Sequence, residues 1–462
     1  MKTAKVKTKF VCSECGYETP KYLGKCPDCG SWGTLVEEKI AVSAPKSSSA
    51  KVSPSEYSKT LLLKDTELNS NNERFATGNG EFDRVTGGGL VDGSVILIAG
   101  DPGIGKSTLV LQIAEIMSKK GKKVFYVCAE ESPSQVKLRA ERLGVKGENL
   151  YLCPQIDTEK IREEILRINP DVVIADSIQA VYSPEISSSS GSVSQIRECA
   201  DVFTQIAKSK NITTIIIGHV TKDGNIAGPR VLEHTVDAVF RFEGDKNKTF
   251  RMLRSIKNRF GCTNEVGIFK MEENGLTEVT NPGEVFLRER GVSSSPGTTV
   301  TASCEGSRVL TVEVQALVGQ TSYPSPRRVA VGFDYNRLLQ IIAVIEKRIG
   351  LNLSKSDVYV NIAGGLEVNE PSADCGVALA IISSARDFVV PNDTVIAGEI
   401  CLTGEVGKIV NPEKLVKEAE KTGFKRIIVP SGNLSKRSKN EIETVEVSRL
   451  SDVLCALQTT KA

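Results

Sequence analysis

The sequence lacks several features that would place it in a special class of protein. No run of about 18 apolar residues occurs in its 462 residues, so no transmembrane helix and no membrane partner are expected. Residues 1–10 are basic but lack the apolar core of a signal peptide, which predicts a cytoplasmic protein. Aromatic residues make up only 5% of the chain, and the net charge is only +2. Overall charge therefore predicts no nucleic-acid partner, and any basic surface must be local.

The twelve cysteines do not form the pattern of a disulfide scaffold. Four of them form two Cys-x-x-Cys pairs, each followed by glycine and separated by ten residues: Cys12, Cys15, Cys26 and Cys29. Each pair makes a tight turn that directs two thiolates at one metal, and together they predict a tetrahedral Zn²⁺ site. An iron–sulfur or redox role is the alternative. The only tryptophan, Trp32, is expected to pack on the small core of this module, which binds either nucleic acid or protein.

Composition divides the chain into four regions. Residues 1–38 are the four-Cys module, which needs its metal to fold, and residues 39–60 are a polar, serine-rich linker. Residues 61–280 alternate strand-like and helix-like segments, which predicts a mostly parallel sheet covered on both faces. After residue 238 strands dominate, so an antiparallel extension of the sheet is expected. A turn at residues 281–283 precedes a second mixed α/β region, residues 284–462.

The most specific motif is a phosphate-binding loop between an apolar strand and an amphipathic helical segment. It matches G-x-x-x-x-G-K-[ST] and consists of Gly100, Asp101, Pro102, Gly103, Ile104, Gly105, Lys106, Ser107 and Thr108. The glycines let backbone N–H groups turn toward phosphates, and the helix N-terminus adds a favourable dipole. Lys106 is expected to reach the β- and γ-phosphates, and Ser107 to bind Mg²⁺. The sequence therefore predicts binding of a nucleoside triphosphate.

Two further strands are predicted to bring acidic residues to this site. Asp176 ends an apolar strand 70 residues after Lys106 and is expected to hold Mg²⁺ through water. Glu130 and Glu131 follow the strand over residues 124–129, whose carboxyl end lies over the ligand crevice of such a sheet. We assign Glu130 as the base that orients or activates the attacking water, with Glu131 as the close alternative. An acidic pair that caps the next helix is the other interpretation.

The last strand of this series leads to His219 and to a glycine-rich segment. His219 is placed to sense the γ-phosphate, although a lone histidine is often a structural core residue. Residues 183–194 and 222–230 leave the same edge of the sheet and are candidate DNA-binding loops, with Lys222 and Arg230 on DNA phosphates. Ordinary surface loops are the alternative.

One pentapeptide is specific enough to indicate a family. It consists of Lys257, Asn258, Arg259, Phe260 and Gly261. This run is characteristic of the RadA (Sms) family of bacterial DNA repair proteins, which the chain resembles over essentially its whole length. The resemblance implies an α/β architecture: a RecA-like P-loop ATPase core, a small N-terminal zinc module and a Lon protease-like C-terminal domain.

The resemblance also implies an activity. RadA-type proteins form a DnaB-like hexameric ring that hydrolyses ATP and moves on single-stranded DNA. They act with the RecA recombinase on branched recombination intermediates, which they process by branch migration. In such a ring Lys257 and Arg259 would reach the γ-phosphate bound by the next subunit and stabilise transition-state charge. A DNA contact by these residues, or a basic strand edge in solvent, remains open.

The C-terminal region resembles the proteolytic domain of Lon-type proteases through residues 370–374 and 398–406. Ser372 occupies the nucleophile position, which requires a lysine base. Counting from Gly398 without gaps, the position of that lysine in Lon-type proteases falls on Glu413, one residue before Lys414. We therefore expect no peptidase activity, unless a one-residue shift brings a neighbouring lysine into reach.

The C-terminal domain is instead expected to serve as an oligomerisation ring and a scaffold that faces DNA. Arg327 and Arg328 end a proline-rich loop and are candidate DNA contacts or structural residues. Two other functions stay open for the whole chain: an ATP-dependent Lon-like protease, and a RecA-class ATP switch that does not translocate.

Overall fold

The computed structural model describes residues 6–12, 17–28, 30–41, 74–219, 229–244, 249–263, 265–280, 283, 295–365, 367–368, 370–435 and 441–458. The chain divides into two compact units. The first comprises Met1–Gly244 with Thr249–Glu278, and the second comprises Asp245–Lys248 with Val279–Ala462. Most of the predicted linker, residues 42–60, lies outside the described residues.

The N-terminal module is a small antiparallel ribbon. Its strands, in the order β2-β1-β3, are β1 (Val6–Cys12), β2 (Glu18–Thr19) and β3 (Leu35–Ala41). Cys12 and Cys26 are 0% and 1% exposed, and each backbone N–H donates to the carbonyl five residues further on, at 2.9 Å. Two equivalent turns thus carry buried thiols, as a four-thiolate site requires, while Cys15 and Cys29 lie outside the described residues.

Trp32 does not pack on the core of this module. The residue is 75% exposed, with the Lys25 ammonium 5.7 Å from the centroid of the indole ring. The prediction of a packed Trp32 is therefore wrong. The buried cysteines pack with Leu35 and Phe10, which leaves the indole on the surface.

Nine strands of the described chain form the large sheet of the first unit. They are β4 (Val95–Gly100), β5 (Val124–Cys128), β6 (Leu150–Cys153), β7 (Val172–Asp176), β8 (Thr213–His219), β9 (Ala238–Gly244), β10 (Phe250–Asn258), β11 (Val266–Glu272) and β12 (Gly275–Glu278). Their order is β12-β11-β10-β9-β4-β8-β7-β5-β6. Pairing is parallel from β9 to β6 and antiparallel from β9 to β12. The predicted parallel sheet with an antiparallel extension is confirmed.

Helices cover both faces of this sheet. They are α1 (Gly80–Thr86), α2 (Lys106–Lys119), α3 (Pro133–Arg142), α4 (Thr158–Ile168), α5 (Val193–Lys210) and α6 (Pro229–Thr235). Residues of α1, α2 and α3 share one apolar cluster with the sheet, and residues of α4, α5 and α6 share another. The central strand β4 is buried at every position, as a parallel strand between two helical layers must be.

The second unit is built on a seven-stranded sheet among the described residues, in the order β15-β16-β14-β13-β17-β20-β21. Its strands are β13 (Thr298–Glu305), β14 (Arg308–Gln320), β15 (Arg328–Val331), β16 (Ser356–Ile362), β17 (Thr394–Ile396), β20 (Arg426–Pro430) and β21 (Glu443–Val447), and β18 (Glu399–Ile400) pairs with β19 (Val406–Gly407). Its helices are α7 (Tyr335–Val344), α8 (Asp374–Arg386), α9 (Pro412–Lys421) and α10 (Leu450–Gln458). Across the part of the chain that the structure describes, every helix is too short or too polar to cross a membrane.

Candidate active site

The phosphate-binding loop joins β4 to α2 and depends on three of its glycines. A Cβ on Gly100 would lie 2.3 Å from the carbonyl oxygen of Phe242 on the neighbouring strand, so only glycine fits there. Gly103 and Gly105 have φ values of 74° and 111°, which glycine adopts without strain. A Cβ built on Gly103 would meet no non-neighbouring atom of the described residues within 4 Å. The loop therefore has an open side where its backbone N–H groups can meet a phosphate.

Lys106, the first residue of α2, lies folded back onto this loop. Its Nζ donates to the carbonyl oxygens of Gly100 and Asp101, at 2.7 and 2.9 Å, and lies 3.2 Å from His219 Nδ1. Burial lowers the pKa of Lys106 from 10.5 to about 8, against the opposing charges of Asp176 and Glu130. A bound triphosphate would offer this amine far stronger acceptors than two carbonyls.

Glu130 and His219 form one hydrogen-bonded group with Lys106. His219 Nε2 lies 2.9 Å from Glu130 Oε1, and the hydroxyl of Ser177 donates to the same carboxylate. Because the Lys106 ammonium donates to Nδ1, the neutral tautomer with hydrogen on Nε2 satisfies both contacts. The hydrogen bond from His219 holds the pKa of Glu130 below its usual value, so Glu130 is ionised at neutral pH.

Glu131 is engaged elsewhere. It forms a salt bridge with Arg139 of α3, and their side chains are 36% and 19% exposed. The helix-capping interpretation does not apply to either glutamate, because Ser132 is the N-cap of α3 and forms a capping box with Gln135. Of the two carboxylates, Glu130 is the one that faces Lys106 and His219.

Asp176 ends β7 beside the end of β5. Its backbone carbonyl accepts from the N–H groups of Ala129 and Glu130, at 2.9 and 3.3 Å, which ties the two strand ends together. The hydroxyl of Tyr126 donates to its carboxylate, and burial raises the pKa of Tyr126 well above 10, so that this hydroxyl stays protonated. The Asp176 carboxylate and the Ser107 hydroxyl are oxygen ligands of the kind that Mg²⁺ prefers.

Lys257 and Arg259 have partners within their own chain. Lys257 Nζ donates to the carbonyls of Glu233 and Val236, the latter at 2.8 Å, at the C-terminal end of α6. Arg259 Nη1 lies 3.1 Å from Asp237, which also pairs with Lys208 at 2.5 Å. The predicted role of Lys257 and Arg259 at a neighbouring subunit's nucleotide stays a prediction.

The residues predicted to contact DNA fall into two groups. Lys222 lies outside the described residues, and Arg230 belongs to α6, although its side chain is not described. Arg327 stacks on the exposed ring of Tyr323, 3.7 Å from its centroid. Arg328 instead donates to backbone carbonyls, including that of Leu353 at 2.8 Å, so Arg327 is the better candidate of the two.

The Lon-like position is a packed core rather than an open site. Ser372 is 6% exposed, and its hydroxyl donates to the carbonyl of Ala302 at 3.1 Å. Two residues further on, Asp374 is fully buried in a two-pronged ion pair with Arg337 and accepts from the N–H of Ile400 at 3.0 Å. No lysine amine of the described residues is within hydrogen-bonding distance of Ser372, and Lys414 is exposed on α9.

Sequence reasoning missed two residues that hold the nucleotide site, Tyr126 and Ser177, and one that draws Glu131 away from it, Arg139. Ser177 had a usable signal, because it directly follows the predicted Mg²⁺ residue. Tyr126 had a weaker one, since it is the polar-tipped residue of an apolar strand. Arg139 had none, because nothing in the sequence pairs it with Glu131.

Together, the β4–α2 loop, the parallel sheet and the acidic strand ends define a P-loop ATPase with a RecA-like core. Family models match three segments: an AAA domain over residues 72–225, a rubredoxin metal binding domain over residues 10–37, and subunit ChlI of Mg-chelatase over residues 329–433. The first two cover the P-loop and the four cysteines, and the third covers part of the Lon-like unit.

Whole-chain comparison identifies the family. The DNA repair protein RadA of Bacillus subtilis is 49% identical over 98% of both chains, and that of Listeria monocytogenes is 47% identical over 98% of this chain and 99% of its own. RadA of a Synechocystis species is 48% identical over 93% of this chain and 90% of its own. The chain belongs to the RadA family of DNA repair proteins and is an ATP-hydrolysing member of it.

Proposed function

We propose that this protein is a DNA-dependent ATPase that works as a hexameric ring on single-stranded DNA. In this proposal it processes branched recombination intermediates by branch migration in the cytoplasm, together with the RecA recombinase. The observation that carries the proposal is the convergence of Lys106, Glu130, Asp176 and His219 at the carboxyl edge of one parallel sheet. Membership of a DNA repair family supports DNA as the partner.

Each residue has a defined task in the proposed reaction. The backbone of residues 100–105 and Lys106 bind the phosphates. Ser107 and, through water, Asp176 would hold Mg²⁺, which would neutralise phosphate charge. Glu130 accepts a hydrogen bond from the attacking water and orients it in line with the γ-phosphorus. His219 lies between Lys106 and Glu130, and it immediately precedes the proposed DNA-binding segment that includes Lys222.

The contact between Lys106 and His219 supports a way to couple the site to DNA. When a triphosphate draws Lys106 away from the loop carbonyls, His219 loses its partner on Nδ1 and keeps only Glu130. His219 then reports the presence of the γ-phosphate to the segment that follows it. Arg230 and Arg327 are proposed DNA contacts as well, and the four cysteines of the N-terminal module are proposed to bind Zn²⁺.

Lys257 and Arg259 are proposed to complete the site of the adjacent subunit in the ring. Their contacts within one chain mean that each must exchange a partner to do so. The exchange for Lys257 removes two hydrogen bonds from the end of α6, the helix in which the proposed DNA-binding segment, residues 222–230, ends. When Lys257 contacts the nucleotide of the adjacent subunit, the conformation of the proposed DNA-binding segment would therefore change.

The proposal is tested by combining turnover with strand movement. We expect single-stranded DNA to stimulate ATP turnover, the protein to extend a recombinase-made joint molecule by branch migration, and mass photometry with ATP to give a hexamer. Lys106→Ala should abolish turnover and migration because the amine no longer contacts the phosphates. If DNA does not change the rate of ATP turnover and no strand movement is seen, the protein is instead an ATP switch.

The protease alternative has a separate test. The buried Ser372 hydroxyl bonded to a backbone carbonyl supports a non-proteolytic domain. Casein incubated with the protein and ATP should remain intact. Cleavage that disappears in Ser372→Ala would overturn this part of the proposal.

A further inference from the structure

The hydroxyl of Tyr126 lies next to the carboxylate proposed to hold Mg²⁺. Tyr126 is in the middle of β5 and is fully buried, and its hydroxyl donates to Asp176 Oδ2. In the parallel register Tyr126 faces Ile174 and Cys128 faces Asp176, so the hydrogen bond runs diagonally across two strands. Among the described residues, Tyr126 is the only side chain that donates to this carboxylate.

Packing alone does not explain a tyrosine at this position. The ring of Tyr126 lies in an apolar cluster with Ile174, Val136 and Leu111, where phenylalanine would bury the same surface without a polar atom. A buried hydroxyl must be hydrogen-bonded to avoid a desolvation cost. Here its partner is the carboxylate of Asp176, a residue that is itself only 8% exposed. The contribution of the hydroxyl is therefore its hydrogen bond to Asp176, and not the packing of the core.

We propose that Tyr126 is a positioning residue for the magnesium site: its hydroxyl holds Asp176 Oδ2 and leaves Oδ1 available to the water bound by the metal. The proposal rests on the proposed role of Asp176. Donors that orient a direct metal ligand typically change metal affinity by about 10- to 100-fold when removed, and because Asp176 reaches the metal through water, the lower end of that range, about tenfold, is expected here. The backbone carbonyl of Asp176 also accepts from the N–H of Glu130, so Asp176 is held directly beside the residue proposed to orient the attacking water.

The test is Tyr126→Phe in the full-length chain, measured by ADP binding over a series of free Mg²⁺ concentrations. We expect the Mg²⁺ concentration that gives half of the effect on ADP affinity to rise by about tenfold, while ADP affinity in EDTA stays unchanged. Excess Mg²⁺ should restore ATP turnover, because the variant keeps every residue that contacts the nucleotide. A merely structural hydroxyl would lower the melting temperature equally with and without Mg²⁺.

Two further variants make the result decisive. Tyr182→Phe is the matched control, because it removes another hydroxyl that bonds to a carboxylate, Asp157, at 3.4 Å, and should leave the Mg²⁺ dependence unchanged. Asp176→Asn tests the underlying metal role. If Asp176→Asn weakens the Mg²⁺ effect and Tyr126→Phe does not, the positioning role is refuted. If neither variant changes it, the proposed metal role of Asp176 fails as well.

Discussion

Replacing Glu130 by glutamine is the most direct test of the chemistry at this site. The variant keeps the size of the side chain, and its amide oxygen can still accept from Ser177, so the fold should be preserved. It loses the charge that a base needs to orient and activate water. General-base catalysis contributes about 10²- to 10⁴-fold, so kcat should fall by that factor, which corresponds to about 2.7 to 5.4 kcal/mol. ATP affinity should change little, because Glu130 is not assigned a phosphate contact.

Glu131→Gln is the matched control, one residue along the chain. It breaks the partly exposed pair with Arg139, which should cost only about 0.2 to 1 kcal/mol of folding stability. Turnover should stay close to that of the unmodified protein.

Steady-state phosphate release, with and without single-stranded DNA, measures kcat for both variants, and nucleotide titration measures binding. The reasoning is refuted if Glu131→Gln is the inactive variant and Glu130→Gln turns over normally. Equal loss in both would mean that the Arg139 pair supports the catalytic geometry, and it would remove the basis for choosing Glu130 over Glu131.

Three other predictions follow from the same contacts. In the free site the pKa of Lys106 is about 8, and nucleotide phosphates favour its charged form. ADP affinity in EDTA should therefore fall as pH rises above about 8, by up to about tenfold per pH unit. An ADP affinity that stays constant up to about pH 9.5 would contradict this. Lys257→Met should lower the free energy of unfolding by about 1 to 3 kcal/mol in chemical denaturation, because two carbonyls lose a charged donor; an unchanged midpoint would show that these bonds contribute nothing. Arg337→Ala should destabilise the second unit by about 3 to 5 kcal/mol in the same assay, because it leaves Asp374 buried and unpaired, and the double variant with Asp374→Ala should recover part of the loss.

Much of the nucleotide site was accessible from the sequence because its parts are local. A phosphate-binding loop is nine consecutive residues between a strand and a helix, so its shape follows from glycine positions and short-range periodicity. Asp176 and His219 could be placed because parallel strands all end at the same edge of their sheet. The sheet itself, including the change to antiparallel pairing beyond β9, agreed with the order of apolar segments.

Other features depend on contacts that no local pattern encodes. The choice between Glu130 and Glu131 rests on His219 and Arg139, which reach them from different elements. Trp32 was expected to pack on the module's core because it closely follows the second cysteine pair, yet the small module has too little core to cover it. The sequence left Arg328 open as a DNA contact or a structural residue, and only the fold supplies the carbonyls that bind it.

The sequence by itself determined the class of this protein: a P-loop ATPase with a four-cysteine module and a Lon-like domain, in which Lys106 meets phosphate. Tertiary structure alone decided how that site is held, through Tyr126 on Asp176, His219 between Lys106 and Glu130, and Lys257 on the end of α6. The physical reason is distance along the chain. Loop and strand motifs are set by neighbouring residues, whereas these hydrogen bonds join residues that are 21 to 113 positions apart and meet only when the sheet is assembled.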